Sequence, residues 1–398
     1  MMRTASTTPL LVTLSLFVLI GTFHIEVCNG DLGSLVSSMM RPGKGNGRGD
    51  REGDKEVGGK NQGDTGGLKM KFYEKTCPNV DVEKIVETIT WNKTKANPSL
   101  GAKLLRMHFH DCFVTGCDAS ILLDPSTNKA SPQVEKEAGP NLSVSGYELI
   151  DEIKTRLEKE CRETVSCADI IALATRDAVS FQFQKRMWEV PLGRRDGRTS
   201  LASEAFDNLP SPSSNFQILQ KAFDDKGLDI RDLVALSGAI DRVLQESGLI
   251  TTQVLSFLTF WLHNAGAHTL GITQCGMISA RLFNFTGKGD TDPSIEKSYA
   301  EALRSKCRRS FETELEMDPG SSKFFDGNYY KIVNQKKGIF ESDATLLTNS
   351  FAASLVKEFE DNNKFFAAFA TSMVKLGGTG VLTRKNEGEI RRKCRFVN

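Results

Sequence analysis

The chain has 398 residues, enough to bury a large hydrophobic core in one domain or two. Lysine and arginine (51) almost balance aspartate and glutamate (50), which leaves a formal net charge of +1. A charge so close to zero gives no reason to expect nucleic acid as a partner.

Residues 1–30 have the features of a secretory signal peptide. Arg3 lies in the charged end, an apolar run extends from Leu10 to Ile20, and small residues lie near Gly30, where cleavage is expected. The run is too short for a comfortable membrane span. We therefore expect a secreted, extracellular protein without a membrane span, in which disulfides are the ordinary state of the cysteines.

Residues 31–68 form a Gly-, Lys- and Asp-rich segment, and its part RPGKGNGRGDREGDKEVGGKNQGDTGG, residues 41–67, has almost no apolar side chains. Such a segment cannot offset the entropy that it would lose on ordering, so we expect it to be disordered. Its mixed charges could bind a cell-wall polyanion, and a plain flexible extension is the simpler alternative. The remaining residues, 69–398, are expected to form the globular domain.

Helical periodicity dominates the globular part of the chain. The clearest runs are VDVEKIVETITWN, LGAKLLRMHFH, SGYELIDEIKTRLEKE, CADIIALATRDAVS, SPSSNFQILQKAFDDKG, SIEKSYAEALRSKC and NNKFFAAFATSMVKLG. Strand patterns are scarce, and short strands are predicted only around WEVPLG, residues 188–193. The sequence thus predicts a mostly α protein with long loops.

The stretch RMHFHDCFVTGCDAS, residues 106–120, begins as an amphipathic helix. Residues four apart share a helix face, so Arg106 and His110 are expected to point the same way, with Phe109 beside them. A fixed cation and a neutral imidazole suit the handling of a small polar oxidant. The base can take a proton while the cation stabilises negative charge.

After Cys112 the helical pattern stops, and oxygen-bearing side chains follow. Asp111, Asp118 and Ser120 surround a loop that Cys112 and Cys117 could close, which predicts a calcium site. Each piece has an ordinary alternative: an Arg/His pair is usually structural, and an Asp/Ser-rich turn is usually just solvated. Their concentration in one short stretch favours the functional interpretation.

This stretch resembles the distal haem motif of the secreted plant peroxidases (class III). The resemblance extends from about Phe72 to Asn398, with the motifs FYEKTCPN, VSCADI, VPLGRRDG and NLPSP in the expected order. It implies the haem-peroxidase fold: two helical lobes, distal and proximal, around haem b, with four disulfides and two calcium ions. The implied activity is hydrogen-peroxide-dependent one-electron oxidation of small phenolic donors, and we expect a monomer in the extracellular space or cell wall.

The resemblance also implies roles for individual residues. His110 is the acid–base group, Arg106 stabilises developing charge, Phe109 shapes the pocket, and Asn141 accepts a hydrogen bond from His110. Pro210, in NLPSP, borders the haem edge where aromatic donors bind. The implied distal calcium set is Asp111, Val114, Gly116, Asp118, Ser120 and, through water, Glu135.

Nine cysteines are present, and removal of Cys28 with the signal peptide would leave eight. Spacing alone does not select one pairing among eight cysteines. The resemblance implies the pairs Cys77–Cys161, Cys112–Cys117, Cys167–Cys394 and Cys275–Cys307. A secretory signal and paired cysteines both argue against the intracellular ascorbate-type peroxidases.

On the proximal side, the motif AGAHTLG makes His268 the implied ligand of the haem iron. His263 could compete but lacks the downstream context. Asp343, in ESDATLL, matches the carboxylate that accepts the N–H of the proximal imidazole. The implied proximal calcium set is Thr269, Asp318, Ser321, Phe324 (through its backbone carbonyl) and Asp326.

The chain departs from the family pattern immediately before His268. About 28 additional residues, 240–267, separate DLVALSGA from HTLG, which are continuous in the family. They could be a retained non-coding segment, a genuine insertion that bulges outward, or an insertion that disrupts the proximal site. In the third case the protein would be a catalytically impaired, haem-free, peroxidase-like glycoprotein, with Asn92 and Asn284 as the better glycosylation acceptors.

Overall fold

The structure, a computed structural model, describes residues 67–128, 130–238 and 270–398. The signal peptide, almost the whole 31–68 extension and the 240–267 segment lie outside the described residues, as do His268 and Thr269. The expected division of the chain into these parts therefore stays a prediction. Within the described ranges, no helix has both the length and the apolar character needed to cross a membrane.

Helices make up most of the described structure, which confirms the mostly α prediction. The α-helices are α1 Tyr73–Thr76, α2 Val82–Ala96, α3 Leu100–Val114, α4 Tyr147–Glu160, α5 Cys167–Ser180, α6 Ala202–Asn208, α7 Phe216–Asp224, α8 Ile230–Ser237, α9 Ser279–Phe283, α10 Lys297–Cys307, α11 Asn328–Asn334, α12 Glu341–Thr345, α13 Ser350–Glu358 and α14 Asn362–Gly377. Short 3-10 helices link several of them, among them Glu135–Glu137 and Gly139–Asn141.

The strands differ from the prediction. Strands β1 (Ile272–Gln274) and β2 (Glu314–Glu316) pair antiparallel, with Thr273 opposite Leu315. The prediction of a strand at 188–193 is wrong, because this segment forms only an isolated β-bridge from Leu192 to Lys69. After that bridge, the N–H of Gly193 donates to the carboxylate of Asp169 at 2.7 Å, so a side chain takes the donor that a strand neighbour would use.

Helix α5 lies at the centre of the larger hydrophobic core. All of its 14 residues are buried, and α2, α3 and α4 pack against it. A helix that is buried on every side belongs in the interior of a large domain. Ser166 caps its start, because its hydroxyl accepts a hydrogen bond from the N–H of Asp169 at 3.1 Å. A smaller second core surrounds Cys275 and Cys307.

Helix α3 is fixed by contacts along its whole length. The carbonyl of Leu104 accepts a hydrogen bond from the hydroxyl of Thr175 on α5 at 3.1 Å. Near its C-terminal end, the rings of Phe109 and Phe113 pack against Phe223 of α7, with centroid distances of 6.2 and 4.8 Å. The helix that carries the chemically reactive side chains is therefore held between α5 and α7.

Four disulfides join the pairs that the family resemblance implies: Cys77–Cys161, Cys112–Cys117, Cys167–Cys394 and Cys275–Cys307. Cys167–Cys394 links the C-terminal segment to the start of α5 across a sequence separation of 227 residues. Cys112–Cys117 closes the short loop at the end of α3. Cys112 and Cys117 are chain neighbours of Asp111 and Asp118, so this second bridge borders a group of acidic residues.

Candidate active site

His110 and Arg106 contact each other on α3. The Nε–H of Arg106 donates to Nε2 of His110 at 3.2 Å, and Nη2 of Arg106 donates to the carbonyl of Pro140 at 2.7 Å. Both side chains are buried, with only 4% of Arg106 and 0% of His110 exposed. The four-residue spacing on one helix explains why the two groups meet.

Asn141 determines which nitrogen of His110 carries the proton. Its Oδ1 lies 2.6 Å from Nδ1 of His110, and its Nδ2 donates to the carbonyl of Glu135 at 2.8 Å. The second bond orients the amide so that its oxygen faces the imidazole, which places the imidazole proton on Nδ1. Nε2 therefore keeps a lone pair, in agreement with its role as acceptor for Arg106.

The imidazole of His110 is also kept neutral. Burial, followed by the charge of Arg106, lowers the pKa of His110 to about 3, although the hydrogen bond to Asn141 acts in the opposite direction. A neutral imidazole whose Nε2 carries a lone pair rather than a proton can act as a base. The arrangement combines a base and a fixed cation in one buried site.

Phe109 and Pro210 are also expected around this site, and they lie in different segments of the structure. The ring of Phe109 stacks on Phe113, with centroids 4.1 Å apart, and its centroid is 6.2 Å from that of His110. Phe109 therefore supplies an apolar neighbour for the base. Pro210 is buried in the loop after α6, and the carbonyl of Pro212 in this loop accepts a hydrogen bond from the N–H of Ser342 at 2.9 Å.

A buried group of oxygen-bearing side chains lies at the C-terminal end of α3 and in the segments that follow it. The N–H of Ser120 donates to Oδ1 of Asp118 at 3.0 Å, and the N–H of Ala119 donates to Oδ2 of Asp111 at 3.0 Å. Among the described residues, Oδ1 of Asp111 and both carboxylate oxygens of Glu135 have no hydrogen-bond partner. Buried carboxylate oxygens without donors are costly, so the group is suited to a cation.

The electrostatics of these carboxylates agree with that interpretation. Burial raises the pKa of Glu135 to about 8, and the charges of Asp118 and Glu204 act in the same direction. Burial also raises the pKa of Asp111, as do the charges of Asp118 and Glu135. Carboxylate, hydroxyl and carbonyl oxygens are the ligands that Ca²⁺ prefers, so the residues present fit a calcium ion.

Two glycines allow the backbone to close around this acidic group. Gly116 has a φ of +114°, and a Cβ there would lie 2.4 Å from the carbonyl oxygen of Gly380. A Cβ at Gly197 would lie 2.2 Å from Oδ2 of Asp118. Gly197 belongs to the motif VPLGRRDG, so part of this motif makes room for a carboxylate of the expected calcium set.

Arg391 is a structural residue of this site that the sequence analysis misses. Its Nη1 donates to the carbonyls of Ala119 and Cys394 at 2.8 and 2.9 Å, and its Nη2 donates to the carbonyl of Gly197 at 2.7 Å. The guanidinium thus connects the C-terminal segment to the loop after α3. An arginine three residues before a cysteine is not by itself a signal that could have identified this role.

Four residues of the expected proximal calcium set, Asp318, Ser321, Phe324 and Asp326, lie in one loop between β2 and α11, whereas Thr269 lies outside the described residues. The hydroxyl of Ser321 donates to Oδ2 of Asp326 at 2.5 Å, and Nδ2 of Asn328 donates to Oδ1 of Asp318 at 2.6 Å. The side chain of Phe324 is 63% exposed, as befits a residue that is expected to contribute only its carbonyl. Asn328, which sequence analysis misses, orients one of the carboxylates.

Asp343 is buried, and two donors among the described residues orient it. The hydroxyl of Tyr329 donates to its Oδ1 at 2.8 Å, and the N–H of Phe340 donates to its Oδ2 at 2.8 Å. These bonds hold the carboxylate in one orientation. His268, the expected partner of Asp343, and the competing His263 lie outside the described residues.

The chain is similar to known proteins over most of its length. A family model described as Peroxidase matches residues 86–362. The chain is 49% identical over 339 residues to Peroxidase 24 of Arabidopsis thaliana, which covers 84% of this chain and 88% of that protein. It is 46% identical over 336 residues to Peroxidase 39 of the same plant, covering 83% of this chain and 93% of that protein.

Proposed function

Because the chain belongs to the plant (class III) peroxidase family, we propose that it reduces hydrogen peroxide and oxidises small phenolic donors one electron at a time. The observation that carries the proposal is the buried set of hydrogen bonds from Arg106 through His110 to Asn141. It supplies a neutral base, a fixed tautomer and a cation at one place. These are the groups that peroxide cleavage needs from the protein.

Members of this family use haem and calcium. We assign haem b as the cofactor of this chain, with His268 as the iron ligand and Asp343 as the acceptor for the other N–H of that imidazole. Haem, when bound, supplies the iron chemistry that accepts electrons from the donor and passes them to peroxide. The two donors that orient Asp343 support its part in this assignment.

The distal residues divide the proton transfer between them. Nε2 of His110 accepts the proton that hydrogen peroxide loses, and returns it to the leaving oxygen so that water departs. Asn141 keeps the other proton of the imidazole on Nδ1 throughout. Arg106 stabilises the negative charge that develops as the O–O bond breaks. Phe109 limits the space beside His110 to small substrates.

Two calcium ions are assigned to the two acidic loops. The distal ion takes Asp111, Val114, Gly116, Asp118, Ser120 and, through water, Glu135, and the oxygens of Asp111 and Glu135 that lack donors support this set. The proximal ion takes Thr269, Asp318, Ser321, Phe324 and Asp326. The distal ion provides the positive charge that the buried carboxylates of its set require.

Donor access and location complete the proposal. Aromatic donors bind at the exposed haem edge that Pro210 borders, and the protein acts as a monomer. It is secreted and works in the extracellular space or cell wall. The secretory features of residues 1–30 support this location.

The proposal is tested on the full mature chain produced with haem. We expect a Soret absorption band, and oxidation of the phenol guaiacol that requires hydrogen peroxide. The variant His268→Ala should lose the Soret band because the iron loses its ligand, whereas the matched control His263→Ala should keep it. Loss of the band in the control alone would reverse the assignment of the two histidines.

The segment 240–267 provides the second arm of this experiment. A variant that lacks these residues joins Ala239 to His268 and restores the continuous family motif. We expect both forms to take up haem. Haem uptake by the shortened form alone would show that the full chain is not a working peroxidase, and uptake by neither would overturn the choice of cofactor.

A further inference from the structure

Lys226 connects two parts of the proposed site that are far apart in the sequence. Its ammonium group donates to the carbonyl of Val114 and to Oδ1 of Asn208, both at 3.0 Å. Val114 is the last residue of α3 and belongs to the proposed distal calcium set. Asn208 is the last residue of α6 and lies two positions before Pro210. One cation therefore contacts both the segment of the proposed distal calcium set, which we call the calcium loop, and the helix end that leads into the loop containing Pro210, which we call the donor loop.

The position of Lys226 is set by the end of α7. Phe223 is buried against Phe113 of α3, with ring centroids 4.8 Å apart, and its carbonyl accepts a hydrogen bond from the N–H of Lys226 at 2.9 Å. Gly227, with a φ of +74°, then reverses the chain. This turn brings the ammonium to the C-terminal end of α3, where the helix carbonyls need donors and the helix dipole favours a cation.

Asn208 is oriented toward Lys226 by a second bond. Its Nδ2 donates to the carbonyl of Glu204 within α6 at 2.9 Å, which leaves Oδ1 for the ammonium. At the other end of the loop, the carbonyl of Pro212 accepts a hydrogen bond from the N–H of Ser342. The loop that contains Pro210 is thus attached at both ends, once through Lys226 and once through α12.

We propose that Lys226 is a positioning residue for donor oxidation, which couples the distal calcium loop to the loop that contains Pro210. This inference rests on the proposed function, because it uses the proposed roles of Val114 and Pro210. A carbonyl oxygen has two lone pairs and can serve both an ammonium group and a calcium ion. The ammonium group of Lys226 and a calcium ion on the carbonyl of Val114 repel each other. Bound calcium therefore favours the hydrogen bond from Lys226 to Asn208 over the one to Val114.

The simpler alternative is that Lys226 only caps α3. A cap requires the bond to Val114 and gives no role to Asn208. The alternatives differ in their effect on calcium. If Lys226 is only a cap, its removal loosens Val114 and speeds calcium loss, whereas in the coupling proposal removal takes away a repelling charge and slows calcium loss.

The test uses the haem- and calcium-loaded enzyme. In Lys226→Met, we expect kcat/KM for guaiacol to fall about three- to tenfold because the donor loop is misplaced, while kcat/KM for hydrogen peroxide stays within about twofold. Lys226→Arg should restore donor oxidation, because a guanidinium can donate to both oxygens. Lys221→Met is the matched control, since Lys221 lies on α7, just before the turn that carries Lys226, and its side chain pairs only with Asp225 at the surface in the described structure.

Asn208→Ala separates the two contacts of Lys226. It leaves the bond to Val114 in place, and we expect it to reproduce the loss of donor oxidation, with no additional loss in the double variant with Lys226→Met. Calcium release to a fluorescent chelator should be slower in Lys226→Met than in the wild type. Unchanged donor oxidation in Asn208→Ala, or faster calcium release in Lys226→Met, would overturn the coupling.

Failure of the proposed function is recognised separately, in the wild type. If the wild-type chain oxidises no phenol, or carries no calcium, then the proposed function is wrong whatever the variants do. If Lys226→Met does not fold, Asn208→Ala and Lys226→Arg still carry the test. Normal donor oxidation in Asn208→Ala then counts against the coupling.

Discussion

Oδ1 of Asn141 lies 2.6 Å from Nδ1 of His110, although 31 residues separate the two in the chain. The amide is held in this orientation because its Nδ2 donates to the carbonyl of Glu135, whose N–H in turn donates to the hydroxyl of Ser200 at 3.0 Å. The backbone of Glu135 thus orients the partner of the base, while its side chain belongs to the expected calcium set. The base and the acidic loop are connected through one residue.

Replacing Asn141 with valine should slow peroxide consumption about 10- to 100-fold, because the imidazole loses the acceptor that fixes its tautomer. The rate of hydrogen peroxide consumption at low peroxide concentration measures this effect. Leu142→Ala serves as the control, since Leu142 is the next residue and its side chain is 56% exposed. A normal rate in Asn141→Val would show that the tautomer of His110 is fixed in another way.

His110→Gln should lower the rate of peroxide consumption by about 10²- to 10⁴-fold while haem uptake is unchanged, because a glutamine cannot accept the proton. His108 provides a matched control on the same helix. It is also buried, and burial followed by the charge of Arg194 lowers its pKa to about 3. His108→Gln should alter thermal stability but leave the rate unchanged, and the opposite pattern would exchange the roles of the two histidines.

Removal of calcium should lower the midpoint of thermal unfolding, because the buried carboxylates after α3 lose their shared counter-charge. A ligand present at a hundred times its Kd stabilises the folded state by about 2.7 kcal/mol. Calorimetry with and without a chelator measures the difference. Glu135→Gln should reduce the chelator effect, whereas the control Glu148→Gln changes a carboxylate that is 82% exposed and should not. An equal chelator effect in both variants would remove Glu135 from the calcium set.

Asp177 should make stability depend on pH. It is buried beside Arg176, whose Nε donates to its Oδ1 at 2.8 Å, and burial raises its pKa from 3.8 to about 6 despite that cation. The folded state therefore holds the proton more tightly than the unfolded state. The contribution of this carboxyl to stability is complete below the unfolded pKa and is lost as the pH rises through about 6.

Urea unfolding at several pH values tests this prediction. In the wild type, Asp177 should lower the free energy of unfolding by roughly 2 kcal/mol between about pH 4 and 6, and Asp177→Asn should lack this fall. Glu148→Gln is again the exposed control and should leave the pH profile unchanged. If Asp177→Asn and the wild type have parallel profiles, then another group is responsible for any pH dependence in this range.

The long helices could be predicted because their hydrophobic periodicity is local. The run CADIIALATRDAVS coincides with α5, and SGYELIDEIKTRLEKE contains all of α4. Short helices such as α6 and α12 contain too few turns to display a period, and the sequence analysis misses them. The short strands β1 and β2 are missed for the same reason, since each has three residues.

The sequence by itself determined the content of the distal site, because Arg106 and His110 share one face of one helix wherever that helix packs. Only the tertiary structure decided the contacts that bring distant segments together: the orientation of Asn141, the space at Gly197 for Asp118, and the two bonds of Lys226. Local spacing fixes which side chains share a helix face. The meeting of separate loops depends instead on how α3, α5 and α7 pack, and no short stretch of sequence specifies that packing.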